Sequence, residues 1–105
     1  MEQKYNALRL HGTDNVAVAL ENLKMGEQLA VQNLNSEIII RANIPYGHKV
    51  AVAAIPQGQR ILKYGECMGI ATEDIPAGSH VHVSNIRGLN EEDKTAVFLK
   101  GGVVG

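Results

Sequence analysis

"IPYGHKV" (44–50), "IPQGQRI" (55–61) and "IPAGSHV" (75–81) are one phrase written three times, and together they hold all three prolines of the chain. A fourth copy without proline, "LKMGEQL", occupies 23–29. Proline second and glycine fourth suits a type I β-turn, with φ preset by the proline and glycine at the exposed end. An apolar residue on each side anchors the turn to a core. The copies begin 21, 11 and 20 residues apart. That irregular spacing marks recurring corners between strands and not a solenoid.

Working outward from the corners, the intervening segments are short and β-rich: 7–10, 15–20, 37–42, 49–55, 60–65, 69–75 and 80–86. Several alternate apolar with polar or small residues, as half-buried strands do. The best helical candidate, "NVAVALENL" (15–23), is weakened by its β-branched valines. The expectation is a compact, mainly β fold of short strands with Gly/Pro corners and little helix. After Asn90 the character changes to a charge cluster and a Gly-rich end. Residues 1–90 are therefore read as the domain and 91–105 as a C-terminal tail or linker stub.

A chain of 105 residues builds one core, not two. Ten basic residues against eleven acidic ones give a formal charge of −1, which leaves no electrostatic footprint for nucleic acid or an anionic membrane. With one Phe, three Tyr and no Trp, a base-stacking platform is also disfavoured. No apolar run suits a signal peptide or a membrane span. Cys67 is the only cysteine, so no disulfide framework exists and a cytoplasmic location is expected. Beside Met68, its thiol reads as a small hydrophobe.

"GSHVHVSN" (78–85) sets His80, His82 and Ser84 on one side of an expected strand, with Val81 and Val83 on the other. Imidazoles two residues apart stand about 6–7 Å from each other, close enough to share a metal ion or to flank an anionic substrate as acid and base. The same spacing also fits two polar residues on the wet back of a sheet. "YGHKV" (46–50) adds His48 after a glycine corner, with Lys49 beside it, a pair able to meet a carboxylate or simply to be solvated. "KYGE" (63–66) offers the Tyr64 hydroxyl to a ligand, or to the rim of the core. His11 and Asp14 in "HGTDN" fit a turn for local reasons. No phosphate-binding loop, dinucleotide fingerprint or nucleophile elbow is present.

Taken in order, "DNVAVAL" (14–20), "IPYGHKVAVAAI" (44–55) and "ILKYGECMGIATEDIPAGSHVHVSN" (61–85) resemble the N-terminal SAF-type (β-clip) domain, or small subunit, of the altronate/galactarate dehydratase family. The match runs from about Leu8 to Asn85. The resemblance implies a hydro-lyase acting on a sugar acid, with a divalent metal, iron or manganese, held mainly by a large catalytic subunit or domain. By position it makes His80, His82 and His48 catalytic candidates, Lys49 and Tyr64 substrate-binding candidates, and His80 and His82 metal-ligand candidates. Two other readings remain open: a sulfolactate sulfo-lyase small subunit, and a non-catalytic carbohydrate-binding or structural module. Ser84 stands where many members carry a further histidine, so a three-histidine site drawn from this strand alone would be incomplete. Alone, the chain is expected to be inactive; its oligomeric state is open.

Overall fold

The computed structural model describes residues 4–89, and the tail expected at 91–105 lies outside them. The described residues form β1 (Ala7–Leu8), β2 (Val16–Ala19), β3 (Gln28–Leu29), β4 (Ile38–Ile39), β5 (Lys49–Ala51), β6 (Arg60–Lys63), β7 (Glu66–Ala71), β8 (His80–Val81) and β9 (Ile86–Arg87), with no helix among them. A four-stranded sheet runs β1-β2-β5-β8, and smaller sheets pair β3-β4 and β6-β7-β9. All these ladders are antiparallel. The mainly β expectation is met. The weak helical candidate is β2, its valines in the extended state they favour.

The corners differ from the expected type I turns by one residue. Hydrogen bonds run from His48 N–H to the Pro45 carbonyl (3.0 Å), from Gln59 to Pro56 (3.0 Å) and from Ser79 to Pro76 (3.1 Å). Proline thus opens each turn, and glycine falls third with positive φ, from +83° at Gly47 to +89° at Gly78. That is type II geometry. The neighbouring strand selects it. At the last corner, Gly78 N–H donates to the Ala51 carbonyl (2.8 Å), and Ala51 N–H donates to Ser79 (3.0 Å). Glycine's own amide is drawn into a ladder, which fixes the handedness of its backbone.

The corners also clasp in pairs. Leu23 and Ile44 exchange two backbone hydrogen bonds of 2.8 Å, and so do Ile55 and Ile75. At three of the four anchors the residue ahead caps the partner corner: Asn43 Oδ1 accepts from Met25 N–H (3.0 Å), Asn22 Oδ1 from Tyr46 N–H (2.9 Å) and Asp74 Oδ1 from Gln57 N–H (2.8 Å). Asn and Asp suit this work because a short side chain carries its acceptor close to the backbone.

The central sheet is covered on both faces. One core cluster takes Ala17, Ala19, Val50 and Val52, and the other takes Val16, Ala51 and Val81. This explains why "VAVA" (16–19) and "VAV" (50–52) alternate only between large and small apolar residues: both faces lie against core. Burial is complete at Val50, Ala51 and Val81. No helix among the described residues is long and apolar enough to cross a membrane.

Candidate functional site

β5 and β8 pair antiparallel with Lys49 opposite Val81 and Val50 opposite His80. Continuing that register by one residue sets His48 opposite His82. Strand alternation then places His48, His80 and His82 on one face. The rings meet. His48 and His82 stack at 5.1 Å with planes 4° apart, and His80 leans on both at 5.1 and 4.9 Å. His48 Nδ1 lies 3.0 Å from His80 Nε2, so one nitrogen donates and the other accepts. A nitrogen from each ring lies within 4.8 Å of the others. The cluster is half-buried and opens onto a depression of about 220 Å³ lined by Gly47, His48, Lys49, Val81 and His82.

The expected strand over 80–86 is broken. β8 ends at Val81, and His82–Asn85 is a turn closed by Asn85 N–H donating to the His82 carbonyl (2.9 Å). Val81 is buried as expected, but Val83 is 79% exposed. The reason is local: after Val81 the chain turns back toward β9, and Val83 rides on the outside of that turn. Ser84, also exposed, lies in the same turn. The third imidazole comes instead from His48, across the sheet. The cluster thus holds three histidines without one at position 84.

Burial is the main cause that depresses the His80 pKa below the ordinary histidine value of 6.5, aided by His82, His48 and then the Lys49 charge. The folded domain therefore holds His80 neutral where the unfolded chain still takes up a proton. Stability should rise with pH from the folded pKa up to about 6.5, and should be lost on acidification through that window. Thermal midpoints measured from about pH 5 to about pH 7 should show this slope, and His80→Asn should flatten it. An unchanged slope in the variant would contradict the assignment.

Lys49 lies at the head of β5, across from buried Val81, and its pKa is lowered by burial first and by Lys63 second. The Lys49 ammonium is the cation that acts on His80, and Lys63, which was not among the site residues expected from the sequence, acts on Lys49 rather than on the imidazoles. Tyr64 is not part of the imidazole cluster. It occupies the first corner of the β6–β7 hairpin with φ +56°, followed by Gly65 at +77°, the signature of a type I′ turn. Its ring lies under Lys63 Nζ at 4.9 Å.

Asp14 secures that hairpin. Its carboxylate is 4% exposed and accepts Tyr64 N–H and Gly65 N–H, both at 2.8 Å, as well as His11 N–H at 3.3 Å. The turn role expected of Asp14 holds, at longer range than local chemistry implied. Charge-assisted hydrogen bonds contribute about 1.5–3 kcal/mol each, so Asp14→Ala should cost roughly 3 kcal/mol in urea unfolding. A loss below about 1 kcal/mol would mean that the hairpin holds its left-handed corner without the carboxylate.

The chain belongs to the altronate/galactarate dehydratase SAF domain family, whose model matches residues 5–89. It is 41% identical over 80 residues to the altronate dehydratase of Escherichia coli K12, covering 76% of this chain and 16% of that enzyme. It is 36% identical over 81 residues to the galactarate dehydratase (L-threo-forming) of the same organism, covering 75% of this chain and 14% of that enzyme. It is 38% identical over 55 residues to the (2R)-sulfolactate sulfo-lyase subunit alpha of Paracoccus pantotrophus, covering 52% of this chain and 82% of that subunit. The chain thus spans about one sixth of its dehydratase relatives.

Proposed function

We propose that this chain is the small subunit or N-terminal domain of a sugar-acid dehydratase of the altronate/galactarate type. In this reading it contributes His48, His80 and His82 to a carbon–oxygen lyase site that a large catalytic subunit or domain completes. The observation that carries the proposal is the convergence of three imidazoles on one half-buried patch beside Lys49. The similarity to two dehydratases supports the substrate class.

The chemistry matches the residues. Elimination of water from a hydroxy acid removes a weakly acidic proton α to a carboxylate and expels hydroxide. Lys49 offers cationic charge to the carboxylate, whereas Tyr64, a substrate-binding candidate by resemblance, lies on the β6–β7 hairpin outside the imidazole cluster. A neutral His80 is able to accept the α-proton, and the imidazolium so formed is able to pass it to the leaving oxygen, which departs as water. As an alternative to that acid–base role, the donor set fits a divalent metal, iron or manganese. Imidazole suits such ions, and donors 3.0 to 4.8 Å apart need only small ring movements to reach the roughly 3.4 Å of a shared coordination sphere. His48, His80 and His82 would hold the ion, with its remaining positions filled by the partner or water. When bound it would supply charge stabilisation to the enolate and the departing hydroxide.

A second reading has its own support, since the aligned region covers 82% of a sulfo-lyase alpha subunit. There the leaving group is sulfite, eliminated from a similar 2-hydroxy acid. Combining the chain with its large subunit, and assaying altronate, galactarate and sulfolactate, tests both. The proposal expects turnover of a hexonate or hexarate only when both components are present, and none from the chain alone even with metal added. Turnover confined to sulfolactate establishes the second reading. Full activity of the large subunit without this chain would leave a carbohydrate-binding or structural module and defeat both.

A further inference from the structure

β8 is an edge strand of the central sheet. Ser79 and Val81 direct their backbone groups toward β5, as the Ala51 N–H to Ser79 hydrogen bond shows, so His80 and His82 direct theirs outward. An open edge leaves such groups for water or another chain. Here both are taken by one side chain. Asn85 Nδ2 donates to the His80 carbonyl at 2.7 Å, and Asn85 Oδ1 accepts His82 N–H at 2.9 Å. The carboxamide stands in for a peptide group of a missing neighbour strand, and it bridges the two residues whose imidazoles converge.

We infer that Asn85 is a positioning residue that sets the spacing of His80 and His82. This rests on the reading of the histidine cluster as the functional site. Packing holds Val81, between the two histidines, but not the chain beyond it: Val83 and Ser84, between His82 and Asn85, are exposed. Asn85 is itself tied to the fold, because Thr72 N–H donates to its carbonyl at 2.9 Å. The line of restraint therefore runs from the end of β7 through Asn85 to both histidines. The same device recurs away from the cluster, where Asn6 bridges the Gln28 carbonyl (2.9 Å) and Ala30 N–H (2.8 Å). Asn6 is thus a natural control for loss of a carboxamide bridge as such.

The test compares the full chain with its Asn85→Ala, Asn85→Asp and Asn6→Ala variants by NMR, following the proximity of the His48, His80 and His82 rings. Co²⁺ titration is the second readout. The inference expects Asn85→Ala to abolish the cross-ring signals of His82 while backbone shifts of the two cores stay in place. Co²⁺ affinity should fall about 10- to 100-fold, as for loss of other groups that orient metal ligands. Asn6→Ala should keep both. Should Asn85→Ala fail to fold, Asn85→Asp decides on the same readouts, because it keeps an acceptor for His82 but loses the donor to His80. Unchanged cross-ring signals in the folded Asn85 variants would overturn the inference. If the wild type binds no Co²⁺ and Asn85→Ala still separates the His82 ring from its neighbours, Asn85 is upheld, and only the metal part of the proposed function is weakened.

Discussion

Gly78→Val is expected to destabilise the domain by about 3 kcal/mol or more, from left-handed strain together with overpacking. Gly78 has φ +89°, and a Cβ built there would stand 2.2 Å from the Ile39 carbonyl oxygen. That oxygen belongs to backbone in β4 and has no side-chain rotamer by which to escape. For a domain of this size the thermal midpoint should drop by roughly 12 °C or more. Gly47 and Gly58 share the positive φ but have nothing within 4 Å of the added atom. Alanine at either should cost only the conformational strain, about 1–2 kcal/mol. The three corners therefore separate handedness from close approach. Equal losses at Gly47, Gly58 and Gly78 in thermal unfolding would contradict the packing at the last corner.

The second large effect is on activity. On the proposed reading, His80→Ala assayed together with the large subunit should lower kcat by about 10²-fold or more, the usual contribution of a positioned acid or base. Stability should move little. The variant loses one imidazole–imidazole hydrogen bond, a net contribution of about 0.5–1.5 kcal/mol. It also releases the mutual crowding that, after burial, helps depress the His80 pKa. His48→Ala and His82→Ala should behave alike, because each removes one face of the same ring cluster. Substitutions that raise KM and leave kcat unchanged would mark the residue as a substrate contact only.

The corners were legible because four copies of one phrase repeat an anchor and a glycine at fixed spacing. Their turn type was not, since the phrase does not say which carbonyl the following amide will take. Here Ala51 and its counterparts capture the glycine amides and shift the turn by one residue. Strand lengths were overestimated for the same reason. The run at 37–42 reads as a strand, yet only Ile38–Ile39 is in a ladder. β3 at Gln28–Leu29 was missed, being two residues of which one is buried. Valine at 83 follows the alternation of 81 into an expected core face, but the turn closed by Asn85 sends it to solvent. At the site, the spacing showed that His80 and His82 are neighbours but left solvated polar residues as an open alternative, and it was the family resemblance that singled the pair out. That His48 joins them depends on the register of β5 against β8, and Lys63 reaches Lys49 only through the placement of the β6–β7 hairpin. Both are relations between distant segments, which local pattern does not encode.

On the proposed reading, the imidazole patch is built for chemistry with a partner and not for folding. The most direct test is the double variant His80→Ala, His82→Ala, with thermal midpoint and reconstituted dehydratase turnover measured on the same preparation. The expected result is a midpoint shifted by less than that of Gly78→Val, with turnover reduced by about 10²-fold or more. Full turnover with the large subunit, or unfolding that accounts for all the lost activity, would contradict it.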